Sequence, residues 1–223
     1  WNNATSGLSL ASLRMAAAQS GMQVASASAT LQSRDYLEQY ARTWGQPQRR
    51  MMLFSLNSTN GLQNIQTNAN PTSYPQLSDD GKVLAYINDG NIGNIYASRA
   101  HFSTLTDGVY SRSNPIGDPT GFTGYGDTSV SLSGTGSFAA AAWVRMGTEL
   151  PGKNAGNAVT LEEQNLLMNS TEIVASVYDG STWTSTRLTK DGTPDLAPAT
   201  AVGGDGKAIV FWRSVYTPDP GTQ

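Results

Sequence analysis

Apolar and polar residues alternate at period two in several short windows of this chain, among them 94–99, 108–112 and 182–188. Successive side chains of a strand point to opposite faces, so this pattern predicts half-buried strands. Three other windows, 83–87, 139–143 and 208–212, are apolar throughout and predict strands as well. Residues 50–56 and 61–67 form a further candidate hairpin across Asn57-Ser58-Thr59-Asn60. Helical spacing is confined to 8–18, 160–167 and 34–41, where Tyr36, Leu37, Tyr40 and Ala41 share one face. Asp179-Gly180, between a strand at 172–178 and the alternating run at 182–188, is a strong hairpin signal, because both central turn residues need positive φ.

These elements recur in order. Stretches 74–87, 128–143 and 198–212 share one grammar: a short polar-flanked strand, a glycine-containing turn, then an apolar strand. The turn glycines Gly81, Gly136 and Gly206 lie 55 and 70 residues apart. Trp143 and Trp212 end apolar strands, and Trp1 reads as the end of another whose beginning lies upstream. Loop, helical pattern and strand then follow both Trp1 and Trp143. This period is near or above that of a four-stranded propeller blade. The expected fold is therefore all-β: a partial β-propeller of about three four-stranded antiparallel blades with short helical insertions. A blade remnant spans 1–70, with helical insertions near 8–19 and 34–43. Blades at 71–126 and 127–192 follow, then a partial blade at 193–223.

The sequence of strand, Asp-Gly-Lys turn, apolar strand and Tyr-Asp-Gly-x-x-Trp resembles TolB-type and WD-like β-propeller repeats. The likeness is to those of large surface proteins of bacteria, and it is carried by 75–87, 178–189 and 195–212. It implies a propeller and no particular activity, since propellers host many. The chain departs from the pattern at Ser137, which stands where Lys82 and Lys207 stand in the other hairpins. Residues 176–183 also come close to the Asp box of sialidases, with Tyr178 where its aspartate belongs; that box is a hairpin device away from catalysis.

Composition narrows the function classes. Charged residues make up 14% of the chain, and 14 basic against 17 acidic groups leave a net charge of −3. Only four are lysines and no basic cluster forms, so neither a nucleic-acid footprint nor a membrane-binding polybasic face is expected. Cysteine is absent, which excludes disulfides and thiolate metal sites. No apolar run is long enough to span a bilayer. The first residue is tryptophan, which reads as the start of a processed or excised piece with any export signal upstream.

Candidate chemistry is thin. His101 is the only histidine and no G-x-S-x-G motif accompanies it, so it reads as structural. Asp79, Asp80, Asp89, Asp179, Asp191, Asp195 and Asp205 stand in turn-forming surroundings. There Asp bonds its own backbone; a calcium loop is the functional alternative, imitated only in part by 89–94. Trp143 and Trp212 are expected to pack between blades, and Trp183 to offer a ligand-stacking surface. The expectation is a non-catalytic structural or binding module of an extracellular bacterial surface protein. It needs no metal or cofactor, takes a protein or carbohydrate ligand, and draws its missing blades from the same or another chain. Two rivals stand beside it: an accessory part of a glycan-active propeller enzyme, and a self-assembling subunit completing blades between chains.

Overall fold

A computed structural model describes residues 70, 74–89, 94–153 and 157–215, and the backbone alone of four strands before them. Those four, β1 (Leu13–Ala17), β2 (Gln23–Ser28), β3 (Met51–Ser55) and β4 (Leu62–Ile65), pair antiparallel in chain order. The second sheet runs β5 (Gln76–Leu77), β6 (Val83–Asn88), β7 (Arg99–Thr106) and β8 (Val109–Tyr110), with β9 (Asn114–Pro115) also on β7. The third repeats the order with β10 (Tyr125–Gly134), β11 (Ala139–Met146), β12 (Thr171–Tyr178) and β13 (Trp183–Arg187). Last comes a hairpin of β14 (Asp195–Val202) and β15 (Ala208–Ser214). The fold is all-β, built of antiparallel sheets formed by consecutive strands.

Helix α1 (Leu161–Asn169) lies between β11 and β12. Its start is a capping box: Thr160 Oγ1 accepts from the Glu163 N–H and the Glu163 carboxylate accepts from the Thr160 N–H. The helix expected over 8–18 is instead strand through Leu13–Ala17; its small and apolar residues are read equally well at either period. Trp1 and the helical pattern at 34–43 lie outside the described residues. The strand expected at 94–99 is also corrected. Asn94 Oδ1 accepts from the Tyr96 N–H at 3.0 Å and turns Ile95–Ala97 into a 3-10 turn, delaying β7 until Arg99.

The hairpin turns show which glycines correspond. Gly81 and Gly206 both adopt left-handed φ, 69° and 78°. In each turn the preceding aspartate accepts from the following lysine N–H, Asp80 at 3.0 Å and Asp205 at 3.2 Å. Gly136 does another job. Its N–H donates to Asp80 Oδ2 of the neighbouring hairpin at 2.9 Å, and a Cβ there would lie 2.7 Å from Lys82 Cβ. The left-handed position of its own hairpin is Gly134, φ 111°.

The core lies between the second and third sheets. Val83, Ala85 and Ile87 of β6 meet Val130 and Leu132 of β10, Ala139, Ala141 and Trp143 of β11, and Val174 and Tyr178 of β12. Trp143 is fully buried. Trp212 holds the matching place on β15, since each is the residue skipped where its hairpin shifts register, yet it is 41% exposed. No third strand pairs with β15 among the described residues. Truncating Trp143 to Ala should therefore destabilise the chain by about 3–5 kcal/mol. The same change at Trp212 should cost about 1 kcal/mol or less. Urea denaturation of the two variants measures the contrast.

Candidate functional site

Where an antiparallel strand ends, its neighbour begins, so one rim of the third sheet collects the start of β10, the end of β11, the start of β12 and the end of β13. Each contributes a charged residue. Asp127 stands opposite Arg145, and Arg145 opposite Glu172. Asp127, Arg145 and Glu172 are 0%, 1% and 4% exposed. A buried ion persists only with partners for its charge and its hydrogen-bonding groups, and here they are supplied in full.

Arg145 Nε donates to Asp127 Oδ1 at 2.6 Å and Nη2 to Oδ2 at 2.8 Å, a two-pronged pair. Asp127 Oδ2 also accepts from the Ala100 N–H of β7 at 2.8 Å, tying the third sheet to the second. Arg145 Nη1 reaches Asp118 at 2.5 Å and the Thr123 carbonyl at 3.1 Å, holding the glycine-rich loop 116–124 against the rim. Burial pushes the Asp127 carboxyl up, while Arg145 and the Ala100 amide pull against it. Burial works equally to lower Arg145, but Asp127 and Asp118 outweigh it and raise the guanidinium further.

Glu172 is held in the same manner. Arg187 Nη2 donates to Oε1 at 2.6 Å and Thr189 Oγ1 to Oε2 at 2.8 Å. The Arg187 guanidinium also lies 4.0 Å over the Phe122 ring, a cation–π contact that closes the loop onto β13. The carboxylates of Asp127 and Glu172 thus have their oxygens occupied by fixed donors.

Asp195 differs. It is fully buried, and neither carboxylate oxygen has a hydrogen-bond partner. The sequence places it among turn aspartates; the structure places it in β14, with its N–H donating to Thr171 Oγ1 at 3.0 Å. Asp89 departs similarly: it is buried and accepts from Asn70 Nδ2 at 2.6 Å. Asp179, Asp191 and Asp205 do bond the backbone of their own turns. Asp179 accepts from the N–H and hydroxyl groups of Ser181 and Thr182, led by the Thr182 N–H, and these hold it far below the usual carboxylate range.

Trp183 is half-buried. Its ring packs against Tyr178 and Phe102, with centroids 5.0 and 5.6 Å away, and its Nε1 is buried. It packs at the edge of the core. Its alternating pattern says only that one face of β13 is covered, and the covered face is the one Trp183 occupies. His101 bonds Ser113 Oγ through Nδ1 at 2.6 Å and lies beside Tyr86; burial pushes it down to about 4. Among the described residues no three His, Cys, Asp or Glu groups gather as a metal site, and no helix is long and apolar enough to cross a membrane.

Sequence reasoning passed over Asp118, Asp127, Arg145 and Glu172. A signal was available. Arg145 ends the apolar run 139–144 and Glu172 opens the apolar strand 173–177, so in an antiparallel pair they meet at one rim.

Replacing Arg145 with Met would leave Asp127 buried alone and cost about 3–5 kcal/mol; adding Asp127→Leu should recover most of it. Denaturant titration of the single and double variants checks the pair. His101 gives a pH dependence. Its folded value lies below the unfolded 6.5, so its contribution is complete above that pH and is lost as the pH falls toward about 4. The loss should reach up to about 3 kcal/mol and be absent from the pH profile of His101→Gln, read by thermal melting between those limits.

No protein-family model matches the sequence, and no curated protein does. Among solved structures, a thermostable family-43 glycoside hydrolase aligns at 12% identity over 93% of this chain and 72% of its own, with a TM-score of 0.39. A PL25 polysaccharide lyase, an ulvan lyase, aligns at 8% over 91% and 50%, with a TM-score of 0.47. The GH93 α-L-arabinofuranosidase of Fusarium graminearum, solved with arabinobiose, aligns at 13% over 89% and 57%, with a TM-score of 0.44. The chain thus spans about half the length of the latter two proteins. Likeness of this degree assigns neither family nor activity.

Proposed function

We propose that this chain is a segment of a β-propeller, its successive sheets serving as blades, and that it acts as a structural or binding module of an extracellular bacterial surface protein. One observation carries the reading. The charged groups gathered at the rim of the third sheet are committed to one another: Arg145 to Asp127 and Asp118, Arg187 to Glu172. A catalytic carboxylate needs an oxygen free to take or give a proton to a substrate. Asp127 and Glu172 hold theirs in fixed pairs between strands, an arrangement suited to joining sheets. The consecutive order of strands in every sheet supports the blade reading, because a propeller repeats one such sheet radially.

A second reading, an accessory part of a glycan-active propeller enzyme, is favoured by Asp118. Its side chain is 41% exposed at the mouth of the same rim, beside the buried Arg145. Incubating the chain with a panel of neutral and acidic polysaccharides separates the two readings. The first expects neither new reducing ends nor unsaturated uronates, while a glycan or protein array reports saturable binding. Turnover that disappears in Asp118→Asn would replace the first reading with the second.

A further inference from the structure

We infer that the edge of β15, unpaired among the described residues, receives an antiparallel β-strand bearing a basic side chain opposite Ser214, and that this side chain is the missing partner of Asp195. The inference rests on the repetition of the sheets and not on the functional reading above, so either can fail alone.

The hairpins β10–β11 and β14–β15 are built alike. Asp127 stands two residues before Ser129, φ 56°, and Asp195 two before Ala197, φ 50°. In both, that left-handed residue falls where the register shifts. Both aspartates donate their N–H to the start of the third strand of the preceding sheet, Asp127 to the carbonyl of Ser98 just before β7 and Asp195 to Oγ1 of Thr171, the first residue of β12. They occupy the same place in successive sheets.

Their partners differ. Opposite Asp127 is Arg145; opposite Asp195 is Ser214, whose hydroxyl lies 3.1 Å from Thr193 Oγ1. Arg213 pairs across from Leu196 and so belongs to the other face of the hairpin. The backbone donor is missing as well. Ala100 N–H binds Asp127, but the Ile173 N–H is taken by Thr189 Oγ1. Asp195 is left with neither, and a buried carboxylate in that state is costly.

The remaining source is the next strand of the same rung. In the third sheet the charges alternate across it: Asp127, Arg145, Glu172, with Arg187 of β13 beyond. In the second sheet the third-strand residue at this height is already basic, Arg99 opposite Asn88. A basic residue paired with Ser214 would find only a small side chain between itself and Asp195. The edge is also apolar. Ile209, Phe211 and Trp212 are 56%, 60% and 41% exposed, surface that an added strand covers while its backbone pairs with β15. The occupant is thus an extended segment of alternating apolar residues with one Arg or Lys in register with Ser214.

Three synthetic peptides of about eight residues, a typical strand length, test this. They are identical but for Arg, Gln or Glu at the position facing Ser214. Each is titrated into the whole chain, with binding read by calorimetry and by tryptophan fluorescence. The Arg peptide should bind about tenfold more tightly than the Gln peptide, and the Glu peptide most weakly. Asp195→Asn should erase that ranking while still binding the Gln peptide. Ser214→Arg, which supplies a guanidinium from β15 itself, should erase it too. Asp195→Asn should melt at or above the parent temperature; a variant that melts well below it would mean that Asp195 already has a partner, and the inference fails. Equal affinities, no binding, or a ranking that survives Asp195→Asn overturn it. So does a dimer of the chain alone, seen by light scattering and lost on Phe211→Asp, which would put a second copy on the edge.

Discussion

The ion pair of Asp127 and Arg145 is the constraint on which the described part of the fold turns. Two shifts of register interrupt β10 against β11, one on each side of Asp127, and a strand with such irregularities is poorly fixed by backbone pairing alone. The two-pronged pair fixes it. The same carboxylate reaches the Ala100 amide and the same guanidinium reaches the loop 116–124, so one contact orders two sheets and their connection. Its net contribution to stability is modest, because both ions are stripped of water. Its loss by halves is severe, because one ion is then left alone.

The opposite rim is organised without buried ions. There the hairpin turns nest. Asp79 N–H donates to the Gly134 carbonyl at 2.7 Å, Asp80 accepts from the Gly136 N–H, and Gly180 approaches the Ser137 carbonyl closely enough that a Cβ would sit 3.2 Å from it. Asp80 is drawn below the ordinary carboxylate range although burial works to raise it, since the Gly136 and Lys82 amides and the Ser78 hydroxyl outweigh that effect. Small residues matter at this rim because turns come into contact both within the third sheet and between it and the second.

Much of the fold could be read from the chain. The Asp-Gly-Lys turns, the hairpin at Asp179-Gly180 and the capped helix after Thr160 are local chemistry, and each forms near where its residues predict. What escaped was decided by neighbours. Strand β7 carries Arg99, His101, Ser103 and Thr104 among its apolar residues, and only packing from the adjoining sheet tells which face is covered. Asp195 looks like any aspartate near a proline and a threonine until its strand is seen to be inside. Trp183 alternates with polar residues, a pattern that fits solvent and core equally well. The rim was missed for a similar reason: its members are far apart in sequence and meet only through antiparallel pairing.

The run Ala139 to Ala142 is almost wholly buried, although its side chains alternate between the two faces of β11. Along these four residues only methyl groups separate the strand from the layers on either side, whereas Tyr178 and Trp183 fill the gap further out, on β12 and β13. On the rung of Ala139, side-chain volume therefore increases from β11 through Tyr178 to Trp183, whereas Trp143 fills the far end of β11. At that rung a sheet packed on this one is held closer at β11 than at β13, so it leans away toward the outer strand.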